Sequence, residues 1–573
     1  MVLYRTNRNF KIMRILLLMF LLCCACSKAY SQIDFFNRSY DFNFYTNGYT
    51  EAKIINHDTS IVFGWLYGVN HRQFITYTFI DNATGDTLRT FKHGRDTIDI
   101  YGGSTGYNCI IDNIIYSVGA YYKNGNAYAN FLKFSKDGNL MLDSLYYIPV
   151  STQYAWTQFN SMLPLNDGNF LVVGNKETSY GNLDAWLVKM DPNGNILWEK
   201  TFNYSTYDRT LNIVPHQGNF LISAGKKVSG EFDIWLLCVD SDGNLIWQKT
   251  YGGPYYDGGI VLSLNNGEIH VCGQKEYADH YYESFVMRLN LNGDLLWQKS
   301  LFRNHTYNKR SSLDLNLELS DGSILNVGVI YENESPMANP VGIIYKMSMD
   351  GDSIWTRKLK LRNNDHYPGN IEYFENGDLL ISGYVFPDSP NNTGDGWIMR
   401  TNCLGYFEHP KDSIVLSSSG ENVLSLTNYS SYYDYTIVDW GDNSSDTVYA
   451  SGNQNIMHEY TLPGNYSINT TTIACNDTIH KSSEYLVIPE QYESSNLVIF
   501  PNPNQGQFEI WLDSPDLYSL EIMDLNGRIV KSALNVKMNQ GYIIDLSELG
   551  SSIYLVRAAK EENIIQQRVV VIR

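Results

Sequence analysis

NDGNFLVVGNKETSYGNLDAWLVKMDPNGNILWEKTF, residues 166–202, is the stretch whose reading decides the fold. It holds three apolar runs, NFLVVG, AWLVKM and ILWEKTF, rich in β-branched and aromatic residues and bounded by Asn, Asp and Gly. Runs of that length and composition read as strands. A polar loop separates the first two, and a tight turn at Asn193-Gly194 separates the second from the third. The same grammar returns along most of the chain, so the repeat is read before any single residue.

The second strand of each unit ends in Gly after an apolar run, at Gly64, Gly119, Gly174, Gly225, Gly273, Gly328 and Gly383, in steps of 55, 55, 51, 48, 55 and 55 residues. A third strand follows, then a turn such as Asp137-Gly138, Asp242-Gly243, Asn292-Gly293 or Asp350-Gly351, whose composition suits two-residue type I′ hairpins. Trp198, Trp247, Trp297 and Trp355 anchor the fourth strands. Four antiparallel strands every ~50 residues predict an all-β chain whose residues 32–410 form a seven-bladed β-propeller of four-stranded blades. Each blade would bury Trp and Leu against its neighbour, worth roughly 1.5–3 kcal/mol per large side chain. The last unit has a stunted fourth strand ended by Pro410, and QIDFFNRSYD resembles the close of a fourth strand, so residues near Ile33–Phe36 are expected to complete the seventh blade. The pattern DGN-x-x-W-x-K is similar to propeller repeats of exported Bacteroidetes proteins. It is also loosely similar to the Asp-box turn of sialidases, although Asp242-Gly243-Asn244 lacks the residue between Asp and Gly.

The 573 residues carry a net charge of −19, which argues against nucleic acid as a partner, since phosphate binding needs clustered cations. Residues 1–31 read as an export signal: Arg5, Arg8, Lys11 and Arg14 precede the apolar run Ile15–Leu22, and Ala29-Tyr30-Ser31 suits a cut between Ser31 and Gln32. Met13 is an alternative start. A lipoprotein signal using Cys24 or Cys26 is the rival reading, with Cys23 a poor lipobox residue. Cys109, Cys238, Cys272, Cys403 and Cys475 remain, an odd and widely spaced set that suggests neither a disulfide framework nor a zinc site.

Residues 411–492 lose the repeat. Asp439-Trp440-Gly441-Asp442, followed by His458, Tyr460, Gly464 and Tyr466, resembles the polycystic-kidney-disease-type immunoglobulin-like domain (PKD-like), with Trp on the other side of Asp439 from the usual order. The resemblance implies a β-sandwich spacer or adhesive module, with Trp440 in its core and Gly464 at a positive-φ corner. Residues 493–573 resemble the type A C-terminal sorting domain of the type IX secretion system. The matching residues are Pro501-Asn502-Pro503 with Gly506, Asp524 with Gly527-Arg528, and Gly550 with Tyr554; Arg568 stands where that family commonly has Lys. The resemblance implies a second immunoglobulin-like sandwich, passage through the periplasm and across the outer membrane, and removal of the domain by the system's sortase. The passenger would then be attached to surface lipopolysaccharide or released.

Catalytic motifs are weak. Gly102-Gly103-Ser104-Thr105-Gly106 satisfies G-x-S-x-G, but no helix follows to build a nucleophile elbow. His458-Glu459 has Leu462 where a zinc-binding helix needs His, and Asp240–Asn244 lacks the spacing of a calcium loop. No metal, cofactor or catalytic set is therefore expected. Binding is expected on the face bearing the long loops NKETSYGNLD, KEYADHYYES, YENESPMANP and FPDSPNNTGD. Tyr49, Tyr107, Tyr154, Tyr207, Tyr256, Tyr307 and Tyr367 recur in the links between units and are more simply packing residues than ligand contacts. The candidates that break the repeat are His280, Tyr281, Glu283, Asp365, His366 and Tyr367, with Asp208 and Asp257 near them on the same face. The expected protein is a secreted or surface-attached monomer that binds a glycan or an envelope protein. A hydrolase acting on extracellular polysaccharide or protein is the alternative.

Overall fold

The computed structural model describes residues 35–572 apart from 42–45, 68–72, 95–98, 103–107, 124–125, 147–155, 180, 229–230, 279–280, 303–309, 332–339, 360–364, 387–393, 420–421, 463, 476, 488–496 and 562. The signal segment with Ser31 and Gln32, His280, and the tyrosines at 107, 154 and 307 lie outside the described residues. Every element among the described residues is a strand, and the chain divides into two compact units, Met1–Glu408 and His409–Arg573.

The first unit contains, among the described residues, seven antiparallel sheets of the four-stranded kind that propeller blades have. We number them I to VII by their place in the chain. Sheet III runs Thr157–Pro164, Phe170–Ser179, Asn182–Met190 and Ile196–Phe202, each strand pairing with the next. Sheets I, IV, V and VI repeat that order from first strands Thr46–Ile54, Asp208–His216, Asp257–Ser263 and Ser311–Glu318. Sheet II splits its first strand into Asp99–Gly102 and Asn108–Ile111. Sheet VII takes Asp365–Tyr373, Leu379–Phe386 and Asp395–Thr401 from the end of the unit and its fourth strand, Phe36–Tyr40, from the beginning. The closing strand covers Phe36–Tyr40 among the described residues, meeting the expected Ile33–Phe36 at Phe36; residues 33 and 34 lie outside the described residues.

The recurrent Gly is set by backbone proximity. Gly174 pairs with Phe159 beside a bulge at Asn160, and a Cβ on Gly174 would lie 2.1 Å from the Gln158 carbonyl oxygen. Sheet IV corrects the register of the repeat: the residue at this position is Ala224, paired with Thr210, and Gly225 is one step past it. The turns into the fourth strands also differ from the two-residue type expected. Gly194 N donates to Asp191 O and Asp191 N to Asn195 O, with Gly194 alone at positive φ, +78°. That is a type I turn closed by a Gly bulge, held by the Asp191 carboxylate on the backbone N–H groups of Asn193 and Asn195. Two-residue turns with both φ positive occur instead at Asp112-Asn113 and Gln217-Gly218.

The cores lie between adjacent sheets. Leu171, Val173 and Leu187 of sheet III pack with Ile222, Trp235 and Leu237 of sheet IV. The fully buried tryptophans Trp186, Trp235 and Trp397 come from third strands, whereas the fourth-strand tryptophans are half-buried. Those rings instead lie over the turn glycine of the next sheet: Trp198 on Gly243, Trp247 on Gly293, Trp297 on Gly351. A cation two residues on grips the same turn, as Lys299 does at Asp352, 3.0 Å away, and Arg357 Nε does at the Leu404 carbonyl, 3.0 Å away. The W-x-K pattern is therefore a latch from one sheet to the next. It also operates at the chain's start, where Phe36 covers Gly85 and Arg38 pairs with Asp86 of sheet I.

The second unit has four sheets among its described residues, in two pairs with separate cores. Ile414–Ser418, Val423–Asn428 and Asn455–Glu459 face a four-stranded sheet containing Tyr435–Asp439 and Gly464–Ala474, around buried Trp440. His458 stacks on Trp440 at 4.7 Å and meets the Asp442 carboxylate at 2.8 Å, while Tyr460 Oη donates to the Trp440 carbonyl. Of the two motif glycines, Gly441 has the positive φ, +79°, and Gly464 simply opens a strand. Leu497–Phe500, Gln507–Leu512 and Tyr542–Asp545 form one sheet of the last pair, and the other includes Ser552–Lys560 and Asn563–Val571. Cys403 and Cys475 are each disulfide-bonded, which an odd count of five cysteines did not suggest; Cys109, Cys238 and Cys272 are free thiols.

Candidate functional site

The first strands of the sheets are innermost, and they surround a cavity of about 630 Å³ at the centre of the first unit. Most of its polar wall is already committed to holding neighbouring sheets together. Asn370 Oδ1 accepts from Ala52 N at 3.1 Å, joining sheet VII to sheet I. Glu51 accepts from Asn108 Nδ2 at 2.8 Å, joining I to II, and Asn212 Nδ2 donates to the Val261 carbonyl at 2.9 Å, joining IV to V. Such bonds satisfy polar groups of the inner strands that their own sheets leave unpaired.

Charge in the cavity is uneven. Lys53 Nζ lies 3.1 Å from Glu51 and 2.7 Å from Glu372, and these two carboxylates hold its ammonium strongly protonated against the cost of burial. Burial pushes the Glu51 carboxyl up, partly offset by Lys53 and Asn108. Asp314, at the bulge of sheet VI, differs. It accepts one bond, from Ser312 Oγ at 2.8 Å, and no cation meets it among the described residues. It is open to the cavity yet enclosed by surrounding protein, and that enclosure pushes its carboxyl above the usual range.

The reason Asp314 stands alone is visible in sheet III. There the equivalent bulge residue, Asn160, donates its amide to the Thr210 carbonyl of the next sheet at 2.8 Å. An ionised carboxylate cannot donate, and the counterpart of Thr210 in sheet VII is Pro368, which has no N–H to offer.

Two chains of aromatic rings reach this cavity. Tyr207, Phe232, Tyr256 and Tyr282 run edge to face across sheets IV and V with centroid spacings of 5.7, 6.1 and 6.2 Å, and Arg310 lies over Tyr282 at 5.0 Å. Trp65 meets Tyr384 at 6.4 Å, and Tyr384 stacks on Tyr367 at 4.8 Å. Tyr256 and Tyr384 line the cavity itself.

The residues singled out from the repeat's departures are not gathered in one place. Tyr281 packs on Tyr277, and Glu283 is buried against Lys275 at 3.2 Å and Ser300 Oγ at 2.7 Å. His366 is buried edge-on against Trp397, and Tyr367 joins the aromatic chain above; the side chain of Asp365, like His280, lies outside what is described. Asp208 is buried and accepts from Tyr204 N, Ser205 N and Ser205 Oγ, so it caps the link before its own strand. Asp257 caps its link with a single bond from Gly253 N, 2.7 Å. It also borders a second cavity, of about 280 Å³, with Lys275, Tyr255 and Tyr277. Burial, with Asp233 adding to it, pushes the Asp257 carboxyl up to about 6. Asp314, Tyr256 and Tyr384 were missed as a set because their register relative to the bulges, which decides what they face, leaves no mark in the spacing.

In the last sandwich the sequence motif does converge. Asn502 Nδ2 donates to the Arg568 carbonyl and its Oδ1 accepts from Val570 N, both at 2.8 Å, pinning the terminal strand; the peptide bonds into Pro501 and Pro503 are cis. Gly506 sits at φ +105°, and a Cβ there would lie 3.0 Å from the Ser547 α-carbon. Asp524 caps the turn through Gly527 to Arg528, and Tyr554 Oη donates to the Gly550 carbonyl at 2.9 Å. Asp524, Gly527, Tyr554 and Arg568 border one small cleft of about 120 Å³.

Residues 498–572 match the family model of the secretion system C-terminal sorting domain. The protein is accordingly a secreted or cell-surface protein that engages the type IX secretion machinery. No curated protein matches the chain. Similar solved structures include the β-propeller domain of the Trilobed protease from Pyrococcus furiosus, at 8% identity and TM-score 0.36 over 64% of this chain and 100% of that one. An endo-arabinase from Bacteroides thetaiotaomicron is similar at 14% identity and TM-score 0.29, over 44% and 96%. An α-L-arabinanase from Penicillium chrysogenum is similar at 13% identity and TM-score 0.32, over 47% and 87%. At these scores the likenesses carry no argument about what this chain does.

Proposed function

We propose that the protein is an exported binding protein whose seven sheets are the blades of a seven-bladed β-propeller, with a glycan as its ligand at the central cavity. The observation that carries this reading is the meeting of two aromatic chains on one cavity of mixed apolar and polar lining, through Tyr256 and Tyr384. Aromatic faces beside fixed polar groups suit sugar rings, which present apolar C–H faces and hydroxyl edges. In this reading residues 411–492 form an immunoglobulin-like, PKD-like spacer, and residues 493–573 are removed by the sortase after export. The passenger is then held on lipopolysaccharide or released. An array of glycans and purified envelope proteins, probed with the full chain, tests it. Glycan binding that falls at least tenfold in Tyr256→Ala and in Tyr384→Ala supports the reading; capture of envelope protein alone overturns it.

A polysaccharide hydrolase is the second reading, favoured by one observation: the buried Glu51, with its carboxyl pushed up, and the half-exposed Glu372 share the cavity wall. Retaining and inverting glycosidases need two carboxyl groups with different proton affinities. Here both are tied to Lys53, which sets this reading second. Release of reducing ends from a polysaccharide panel, abolished by Glu372→Gln, would reverse the order.

A further inference from the structure

We propose that the central cavity selects a saccharide bearing a free amino group, with Asp314 as the counter-ion of its ammonium; this rests on the glycan reading above. Lys53, the one cation among the described lining residues, is already shared between Glu51 and Glu372, at 3.1 and 2.7 Å, so an acidic sugar would find no free positive charge among them. The remaining charge is a carboxylate. Asp314 has a single hydroxyl donor, Ser312, and faces an open volume of about 630 Å³.

The fold does not need a carboxylate at this position. Sheet III places Asn160 at the same bulge and uses its amide to bind Thr210 of the next sheet, whereas Asp314 makes no bond to sheet VII, where Pro368 holds the position of Thr210. An acid that is open to the cavity, with Ser312 Oγ as its one donor and no bond to the next sheet, is explained by a partner that arrives with the ligand. A metal ion is a poor candidate. Hard cations take six or more oxygen ligands, and the described residues contain no group of three or more His, Cys, Asp or Glu placed to hold one. An ammonium needs one carboxylate and a few acceptors, and it also favours aromatic faces such as those of Tyr256 and Tyr384, which line the same cavity.

Calorimetric titration of the full chain with three probes tests the assignment: a glucosamine tetramer, its fully N-acetylated form and tetralysine. The glucosamine tetramer is expected to bind at least tenfold more tightly than the acetylated form, and Asp314→Asn to erase that ratio. The Asn160 precedent makes that variant compatible with the fold, and the probe comparison on the wild-type protein stands without it. Equal affinity for the two tetramers overturns the proposal, as does a preference that survives Asp314→Asn, or tetralysine binding as tightly as glucosamine. Equal tetramer binding that is nonetheless lost in Tyr256→Ala would leave the glycan reading standing while removing the amino preference. Absence of binding to either tetramer removes the amino-sugar assignment, and the glycan array then decides the broader reading separately.

Discussion

The ring of Phe36 covers the α-carbon of Gly85, where a Cβ would meet Cδ2 at 2.7 Å. Phe36 belongs to the last sheet and Gly85 to the first, so this contact repeats at the ring's closure what Trp198 does at Gly243 within it. One packing rule therefore serves both continuous and discontinuous neighbours.

Alanine at these turns separates two costs. Gly168 and Gly243 have similar φ, +80° and +75°, but only Gly243 lies under a ring, with nothing within 4 Å of a Cβ at Gly168. Gly168→Ala should cost about 1 kcal/mol for the left-handed backbone. Gly243→Ala should cost a further 1–3 kcal/mol or so for overpacking on Trp198. Denaturant midpoints of the two variants, compared with wild type, check the difference.

Asp257 gives a signed pH effect. Its folded carboxyl titrates at about 6, above the ordinary 3.8, so between those values the folded protein binds more protons than the unfolded chain. Its contribution therefore worsens as pH rises through that window and is fully unfavourable above it, by at most roughly 3 kcal/mol. Asp257→Asn keeps an acceptor for Gly253 N and should melt at higher temperature than wild type at pH 7.5. The gap should close below pH 4, as melting curves across that range would show.

Asn502 ties the terminal strand at Arg568 and Val570, so Asn502→Ala should loosen it by about 1–3 kcal/mol. Faster proteolysis of Asn563–Val571 is the expected readout, together with reduced delivery to the surface or medium. Deletion of Leu497–Arg573 should abolish delivery; normal export of that truncation would contradict the sorting role.

The strand content, the four-strand unit and the sorting motif were legible because each rests on local patterning: alternating apolar runs, glycine where backbones touch, and short blocks in fixed order. The turn type was not, because Asn193-Gly194 suits either hairpin, and the choice was made by Asp191 two residues earlier, whose carboxylate holds a type I turn. Nor was the role of Asp208, since whether a carboxylate binds ligand or caps its own link depends on where Tyr204 N and Ser205 N point. The repeat likewise misplaced Gly225 by one residue, because Ala224 is small enough to pass at the same close approach. Asp314 drew no notice in the sequence; only its likeness in position to Asn160, and the proline opposite, make it unusual.

Strand Phe36–Tyr40 pairs with Asp395–Thr401, and the bond from Trp397 Nε1 to Asn37 spans 360 residues of chain. The last sheet therefore keeps a bare edge until both ends of the unit are together on the same side of any membrane. A chain cut short, or one still partly in transit, cannot satisfy that edge, which stays a template for pairing with another chain.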